Sequence, residues 1–437
     1  MQRRIIVRGA RILDPSQDLD EKRCLVMEGG RIVALPRRPP RARTATEVDA
    51  RGLWLMPGFV DLHVHLREPG HEHKETIETG ARAAVEGGFT TIVAMPNTSP
   101  PNDCRAVTEL VLERARRAKL ARVLPAGSIT RGLEGKELSD MGELRDAGCV
   151  LFTDDGRPVM DSGLMRRALE YSSGLGALLM SHSEDVSLSK NGSMHEGEVS
   201  TRLGLRGIPA TAEDVMVMRD VALAEEVEAP LHIGHVSTAR SVHTIREARR
   251  RGALITCECT PHHFSLTEEA CSSYDTACKM MPPLRPEADR RAIVAGMRDG
   301  TIQAIATDHA PHSLVEKDLE FDRAANGVVG LETAFSLTFK LVDEGVLPLF
   351  RAVELLTSGP AKVLGLEAGT LREGSLADIV LVDPTAHWTV DPKTFSSKGR
   401  NTPFTGWRLP GRILSTWVSG KTVFDRKEKT RSAKGRA

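Results

Sequence analysis

From residue 53 to about residue 345, apolar runs of strand length alternate with polar-faced stretches of helical period. The strand-like runs are 54–65, 89–95, 122–128, 149–154, 177–182, 230–236, 254–260 and 302–308. Between most of them lie amphipathic segments such as 74–86, 161–173, 212–227 and 287–298. This alternation predicts an α/β fold, a parallel (β/α)8 barrel of the TIM type, over a doubly wound open sheet. The flanks read differently. Residues 2–52 and roughly 366–425 hold short alternating strands and turns, with Gly29-Gly30 as a hairpin signal. They are expected to pair into one small β-sandwich. The expected organisation is a composite sandwich from 1–52 and 366–425, a barrel from 53–365, and a basic, frayed tail from 426–437. The segment 35–43, with three prolines among arginines, reads as a surface loop.

Composition narrows the class. Lys plus Arg and Asp plus Glu are 59 each, which argues against broad nucleic-acid or acidic-membrane binding. No apolar run approaches membrane-spanning length. The seven cysteines are odd in number and form no C-x-x-C pair, so reduced thiols and a cytoplasmic location are expected.

In a parallel barrel the site lies at the C-terminal strand ends, and here these ends carry chemistry. The first strand closes on Asp61-Leu62-His63-Val64-His65-Leu66-Arg67. Residues two apart in a strand share a face, so His63 and His65 point the same way. The fourth strand ends in Asp154-Asp155-Gly156, the fifth in His182, the sixth in His235 and the eighth in Asp308-His309-Ala310-Pro311-His312. Singly, each has an ordinary reading as a turn former, a cap or a hydrogen-bonded imidazole. As a set they suggest two metal sites: His63, His65 and Asp308 for one, His182 and His235 for the other, with Asp155 as bridge. Asp155 is preferred to Asp154, which faces the opposite way. Imidazole and carboxylate without thiolate suit Zn2+, one or two per chain, with Mn or Co as substitutes. Two such metals acidify a shared water and polarise a carbonyl, and Asp308 is placed to carry the proton.

With these residues in place the chain resembles the dihydroorotases of the bacterial class I type, in the amidohydrolase superfamily. The likeness rests on Asp61–Gly70 (DLHVHLREPG), Met95-Pro96-Asn97-Thr98, Phe152–Gly156, Thr260-Pro261-His262-His263 and Ala306–His312 (ATDHAPH), and it runs over nearly the whole chain. It implies zinc-dependent, reversible cyclisation of N-carbamoyl-L-aspartate to dihydroorotate in de novo pyrimidine (UMP) synthesis. It implies the same six ligands, His63, His65, Asp155, His182, His235 and Asp308, and carboxylate contacts from Arg67, Asn97 and His312. It also places Met281, Asn326 and Gly327 beside the substrate, where the chain departs from the family. Met281 replaces an Asn before Pro-Pro-Leu-Arg, and Asn326-Gly327 replaces an aromatic or Pro. Asp155 stands where many superfamily members have a carboxylated Lys. The loop 313–329 is expected to act as a lid.

Two rival readings fit the same residues. One is another cyclic-amide hydrolase, a dihydropyrimidinase, hydantoinase or allantoinase, whose substrates lack the ring carboxylate. The other is a silent subunit that supports an aspartate transcarbamoylase. That transcarbamoylase and a second copy of the chain are the expected protein partners; nucleic acid and membrane are not expected.

Overall fold

The computed structural model describes residues 4–40 and 45–427. The arginine-rich end of the expected 35–43 loop and the tail beyond 427 lie outside the described residues.

Eight parallel strands form the barrel: β1 (Phe59–Val64), β2 (Phe89–Ala94), β3 (Arg122–Gly127), β4 (Leu151–Thr153), β5 (Leu178–Ser181), β6 (Leu231–Ile233), β7 (Ile255–Cys259) and β8 (Ala304–Ile305). They are hydrogen-bonded in chain order. Each is followed by a helix: α1 (Ile77–Glu86), α2 (Arg105–Ala118), α3 (Met141–Ala147), α4 (Ser162–Gly174), α5 (Thr211–Glu226), α6 (Ala239–Arg250), α7 (Glu287–Asp299) and α8 (Ala334–Asp343). The (β/α)8 expectation is met. Every residue of β1 and β2 is buried, as continuous apolar runs between a filled barrel interior and a helical shell require. Polar caps start several of these helices. Thr76, Asp161 and Thr238 accept the N–H of Thr79, Leu164 and Ser241 at the heads of α1, α4 and α6.

The expected single strand 54–65 is two strands. Trp54–Pro57 belongs to the terminal sheet, where it pairs antiparallel with Ile379–Val382. The break is at Gly58, which donates its N–H to the Asp378 carbonyl at 2.9 Å. A Cβ there would lie 2.2 Å from Thr90 Oγ1, so only glycine lets the chain turn against β2. The terminal sheet runs, in order, through 421–425, 408–418, 379–389, 54–57, 5–14, 19–28 and 31–34, with 46–49 paired to 5–14. Both flanks therefore contribute to one sheet. Gly29 and Gly30, both at positive φ, make its predicted hairpin turn.

The barrel closes by side chains as much as by a ladder. Val64 and His309 form a lone parallel bridge, and the His65 N–H donates to the His309 carbonyl at 2.9 Å. Buried Asp61 of β1 accepts the Thr307 N–H at 3.0 Å, the Thr307 hydroxyl at 2.6 Å and the His63 N–H at 3.1 Å.

His195 and His263, outside the strand-end set, are buried neutral. Burial pushes His195 and His263 down, each to about 4, and the charge of Arg285 adds to the effect at both. Their unfolded value is near 6.5, so between pH 6.5 and 4 the unfolded chain binds more protons. The stability each contributes is complete above about pH 6.5 and is lost as pH falls toward 4. Asp61 and Asp154, raised by burial to about 7 and about 6, act in the opposite sense. Comparison of two proteins isolates the imidazole. His195→Gln should lose about 1–2 kcal/mol less stability than the parent between pH 7 and pH 5, read from urea midpoints. Parallel pH curves for the two would contradict this.

Candidate metal centre

The strand ends converge on Asp155. Its Oδ1 lies 3.2 Å from His63 Nε2, 3.3 Å from His182 Nδ1 and 3.5 Å from His235 Nε2. Its Oδ2 lies 3.3 Å from His65 Nε2. Asp308 Oδ1 closes the ring at 3.0 Å from His65 Nε2 and 3.5 Å from His63 Nε2. All six side chains are buried. Two sets of donor atoms fall within 4.8 Å of one another: His63, His65 and Asp155, and Asp155, His182 and His235. Asp155 is common to both. Asp154 turns away and accepts the N–H groups of Ile129 and Thr130 and the Thr130 hydroxyl.

Backbone geometry aims these groups inward. His235, Asp308 and Arg67 all have positive φ, at 31°, 45° and 62°. Non-glycine residues adopt this region at a cost, and it turns each side chain off the line of its strand.

The donor set fits divalent metal. His63 Nε2 and Asp155 Oδ1 are buried with no hydrogen-bond partner, a costly state for two groups 3.2 Å apart unless something binds both. The opposite ring nitrogens are committed. His63 Nδ1 meets Glu258 Oε1 at 2.9 Å, His65 Nδ1 meets Asn97 Oδ1 at 2.9 Å, and His182 Nε2 meets Glu184 Oε2 at 3.0 Å. An N–H donated to each oxygen leaves the inward nitrogen a bare lone pair, the tautomer a ligand needs. Burial pushes Glu258 up, but hydrogen bonds from His232 and His63 outweigh it and hold the carboxyl down at about 2.

Above this cluster opens a pocket of about 360 Å3, lined by five of the six groups and by Arg67, Asn97, Met281, His312, Asn326 and Gly327. His63 alone of the sequence-chosen residues lies beneath it. Arg67 Nη2 sits 3.3 Å from His312 Nε2, and Arg67 Nε donates to the Pro311 carbonyl at 3.3 Å. The guanidinium has no carboxylate partner among the described residues. Burial pushes His312 down to about 3, helped by the charges of Arg67, Lys74 and Lys317, so it is neutral. Its Nε2–H donates to the Asn326 carbonyl at 2.7 Å. Asn97 does more than face the pocket: Oδ1 holds His65, and Nδ2 donates to the Asp155 carbonyl at 3.3 Å. The expected lid carries a short helix, Leu314–Lys317, with Leu314 and Val315 exposed, while its pocket edge is anchored by the buried Lys317 ammonium on the Ala325 and Gly327 carbonyls.

Glu258, Asp61 and Glu184 escaped the sequence reading as supporting groups. Glu258 did leave a signal, a lone carboxylate between Cys257 and Cys259 in an apolar strand, which must find a partner when buried.

The chain is similar to known proteins over nearly its whole length. Residues 52–241 match the family model described as Dihydro-orotase-like, and residues 198–424 match the Amidohydrolase family. A dihydroorotase from Anaeromyxobacter sp. (strain K) is 57% identical over 423 residues, covering 96% of this chain and 98% of that protein. The chain belongs to the dihydroorotase family. A second dihydroorotase, from Geobacter metallireducens, is 51% identical over 97% of this chain and all of that one. Solved structures give the same fold at lower identity. An L-hydantoinase from Arthrobacter aurescens superposes with a TM-score of 0.88 at 24% identity, covering 98% of this chain and 97% of that one. A dihydropyrimidinase from Brevibacillus agri gives 0.86 at 25%, covering 97% and 95%. As a member of the dihydroorotase family the chain is a hydrolase acting on cyclic amides.

If Glu258 sets the tautomer of His63, Glu258→Gln should weaken zinc binding about 10- to 100-fold, measured by competition with a chelator. Asp154→Asn, facing the other way, should leave zinc affinity unchanged. Equal effects of the two would show that neither acts through His63.

Proposed function

We propose that this chain catalyses the reversible ring closure of N-carbamoyl-L-aspartate to dihydroorotate at a zinc centre held by His63, His65, Asp155, His182, His235 and Asp308. The observation that carries the substrate choice is Arg67. A guanidinium at the mouth of the site, with no carboxylate partner among the described residues, calls for a carboxylate on the substrate. Dihydroorotate has one; hydantoins and allantoin do not. Divalent metal bound here supplies Lewis acidity to the amide carbonyl and acidifies water.

The chain's own groups orient the substrate and move the proton. Arg67, beside neutral His312, binds the ring carboxylate and holds the scissile amide toward Asp155 and Asp308. In hydrolysis Asp308 accepts a proton from the attacking water and returns it to the ring nitrogen as the C–N bond breaks. In ring closure it accepts the ureido proton and returns it to the departing oxygen. Hydrolysis makes a second carboxylate and releases a proton, so closure is favoured at lower pH. The seven free cysteines support a reducing, cytoplasmic setting.

The deciding assay measures turnover of dihydroorotate, hydantoin and allantoin by the zinc-loaded chain, alone and with an aspartate transcarbamoylase. Turnover of dihydroorotate is expected. Hydantoin turnover alone would transfer the chain to the hydantoinases, and an inert, fully metallated protein under both conditions would mark a scaffold. Asp308→Asn should cut turnover by about two to four orders of magnitude while most bound metal remains. Near-parental activity would place the proton on another group.

Met281 lines the pocket with a thioether, which accepts hydrogen bonds weakly and donates none. Met281→Asn should lower KM by about one to two decades at similar kcat. An unchanged KM would mean that no contact is made at that position.

A further inference from the structure

The pocket edge that carries His312, Asn326 and Gly327 is held from outside the barrel. Beyond the sheet strand Ile379–Thr389, the chain returns across the barrel mouth. Ser397 Oγ donates to buried Glu75 at 2.5 Å, and the Lys398 N–H donates to the same carboxylate at 3.1 Å. Asn401 ends this strap. It is 6% exposed and does not line the pocket, yet its side-chain oxygen and nitrogen and its carbonyl all reach the chain that does. Oδ1 accepts the His312 N–H at 3.1 Å. Nδ2 donates to the carbonyls of Ala310 at 2.9 Å and Gly327 at 3.0 Å. The Asn401 carbonyl accepts the Val329 N–H at 2.9 Å.

From the other side, the Lys317 ammonium donates to the same Gly327 carbonyl at 3.1 Å and to Ala325 at 2.8 Å. Asn326 is fixed between these two clamps, and its carbonyl receives His312 Nε2–H. There is no slack at Gly327. Its φ is 135°, and a Cβ would stand 2.7 Å from the Ala310 Cβ and 3.2 Å from His312 Nε2.

We propose that Asn401 is a positioning residue that sets substrate affinity by fixing His312 and the Asn326-Gly327 edge, without touching substrate or metal ligands. An amide is what the position demands, since it must accept from one N–H and donate to two carbonyls. A carboxylate would oppose two carbonyl oxygens, and an apolar side chain would leave the His312 N–H and the Ala310 carbonyl without this partner and the Gly327 carbonyl with Lys317 alone. The inference rests on reading the pocket as the dihydroorotate site.

The test uses the full zinc-loaded chain with Asn401→Ala and the isosteric Asn401→Asp, metal content being measured first. Each should raise KM for dihydroorotate about 10- to 100-fold with kcat within about 3-fold and zinc unchanged. A lowered thermal midpoint with parental KM in both variants would overturn the proposal and leave Asn401 merely structural. A parent chain inert toward dihydroorotate would strike the functional reading instead. Amide exchange tests the clamp independently of turnover. The amides of His312 and Val329 should exchange slowly in the parent without ligand and at least about 10-fold faster in Asn401→Asp, with β2 unaffected. Fast exchange of these two amides in the parent would by itself overturn the proposal, even if neither variant folds.

Discussion

The structure is organised around one buried carboxylate. Asp155 sits among four imidazoles at 3.2–3.5 Å, and all of them are withdrawn from water. A carboxylate in such a place is tolerated only when cations and hydrogen bonds answer its charge. The imidazoles that would hold a metal cation beside it must themselves be oriented, which draws in Glu258, Asn97 and Glu184. Glu258 is then a second buried charge. It meets His232 Nε2 at 3.2 Å, and His232 Nδ1 meets Thr256 Oγ1 at 2.8 Å. One polar chain thus runs from the site down through the barrel interior. The interior of this barrel is part of the site's electrostatics, not only its packing.

The same demand explains the seam. The barrel is weakest between β8, two residues long, and β1, where one lone bridge links Val64 to His309 beyond the end of β8. Asp61 ties the Thr307 backbone and hydroxyl to β1 while accepting the His63 N–H, so one side chain sets the spacing between the strand bearing His63 and the strand bearing Asp308. Next to Asp308, His309 is held in turn by Glu75 Oε2 at 3.3 Å and by the Gly330 N–H at 3.2 Å. Asp308 can keep its strained backbone because both neighbours are fixed.

Much of this was legible in the sequence, for a physical reason. Strands of a parallel barrel are apolar throughout, so a polar residue at a strand end stands out, and the barrel rule says where all such ends meet. His63, His65, Asp155, His182, His235 and Asp308 could be chosen on that ground, and the structure brings them together. The supporting groups were harder to find. Glu258 was visible as a charge in an apolar strand, but nothing in the sequence says that it faces His63. Gly58 hid the strand break because the residues on both sides are equally apolar. Asn401 left no signal at all, being one polar residue among many in a segment more than seventy residues from the loop residues it holds. The fold supplies that contact, and local pattern cannot.

Asp154 and Asp155 show how finely the arrangement depends on facing. They are neighbours of one chemical type, and alternation sends them to opposite sides. Asp154 accepts two backbone N–H groups and a hydroxyl, yet burial still lifts it to about 6, because no cation stands close enough to outweigh the loss of water. Burial would raise Asp155 as well, but His63, His182 and His235 hold it well below the usual carboxylate range. One carboxyl braces the loop after β3; the other gathers the metal donors. A slip of β4 by one residue would exchange them and place a carboxyl without imidazoles in the core. The charge balance at the end of this three-residue strand therefore fixes its register together with its own hydrogen bonds.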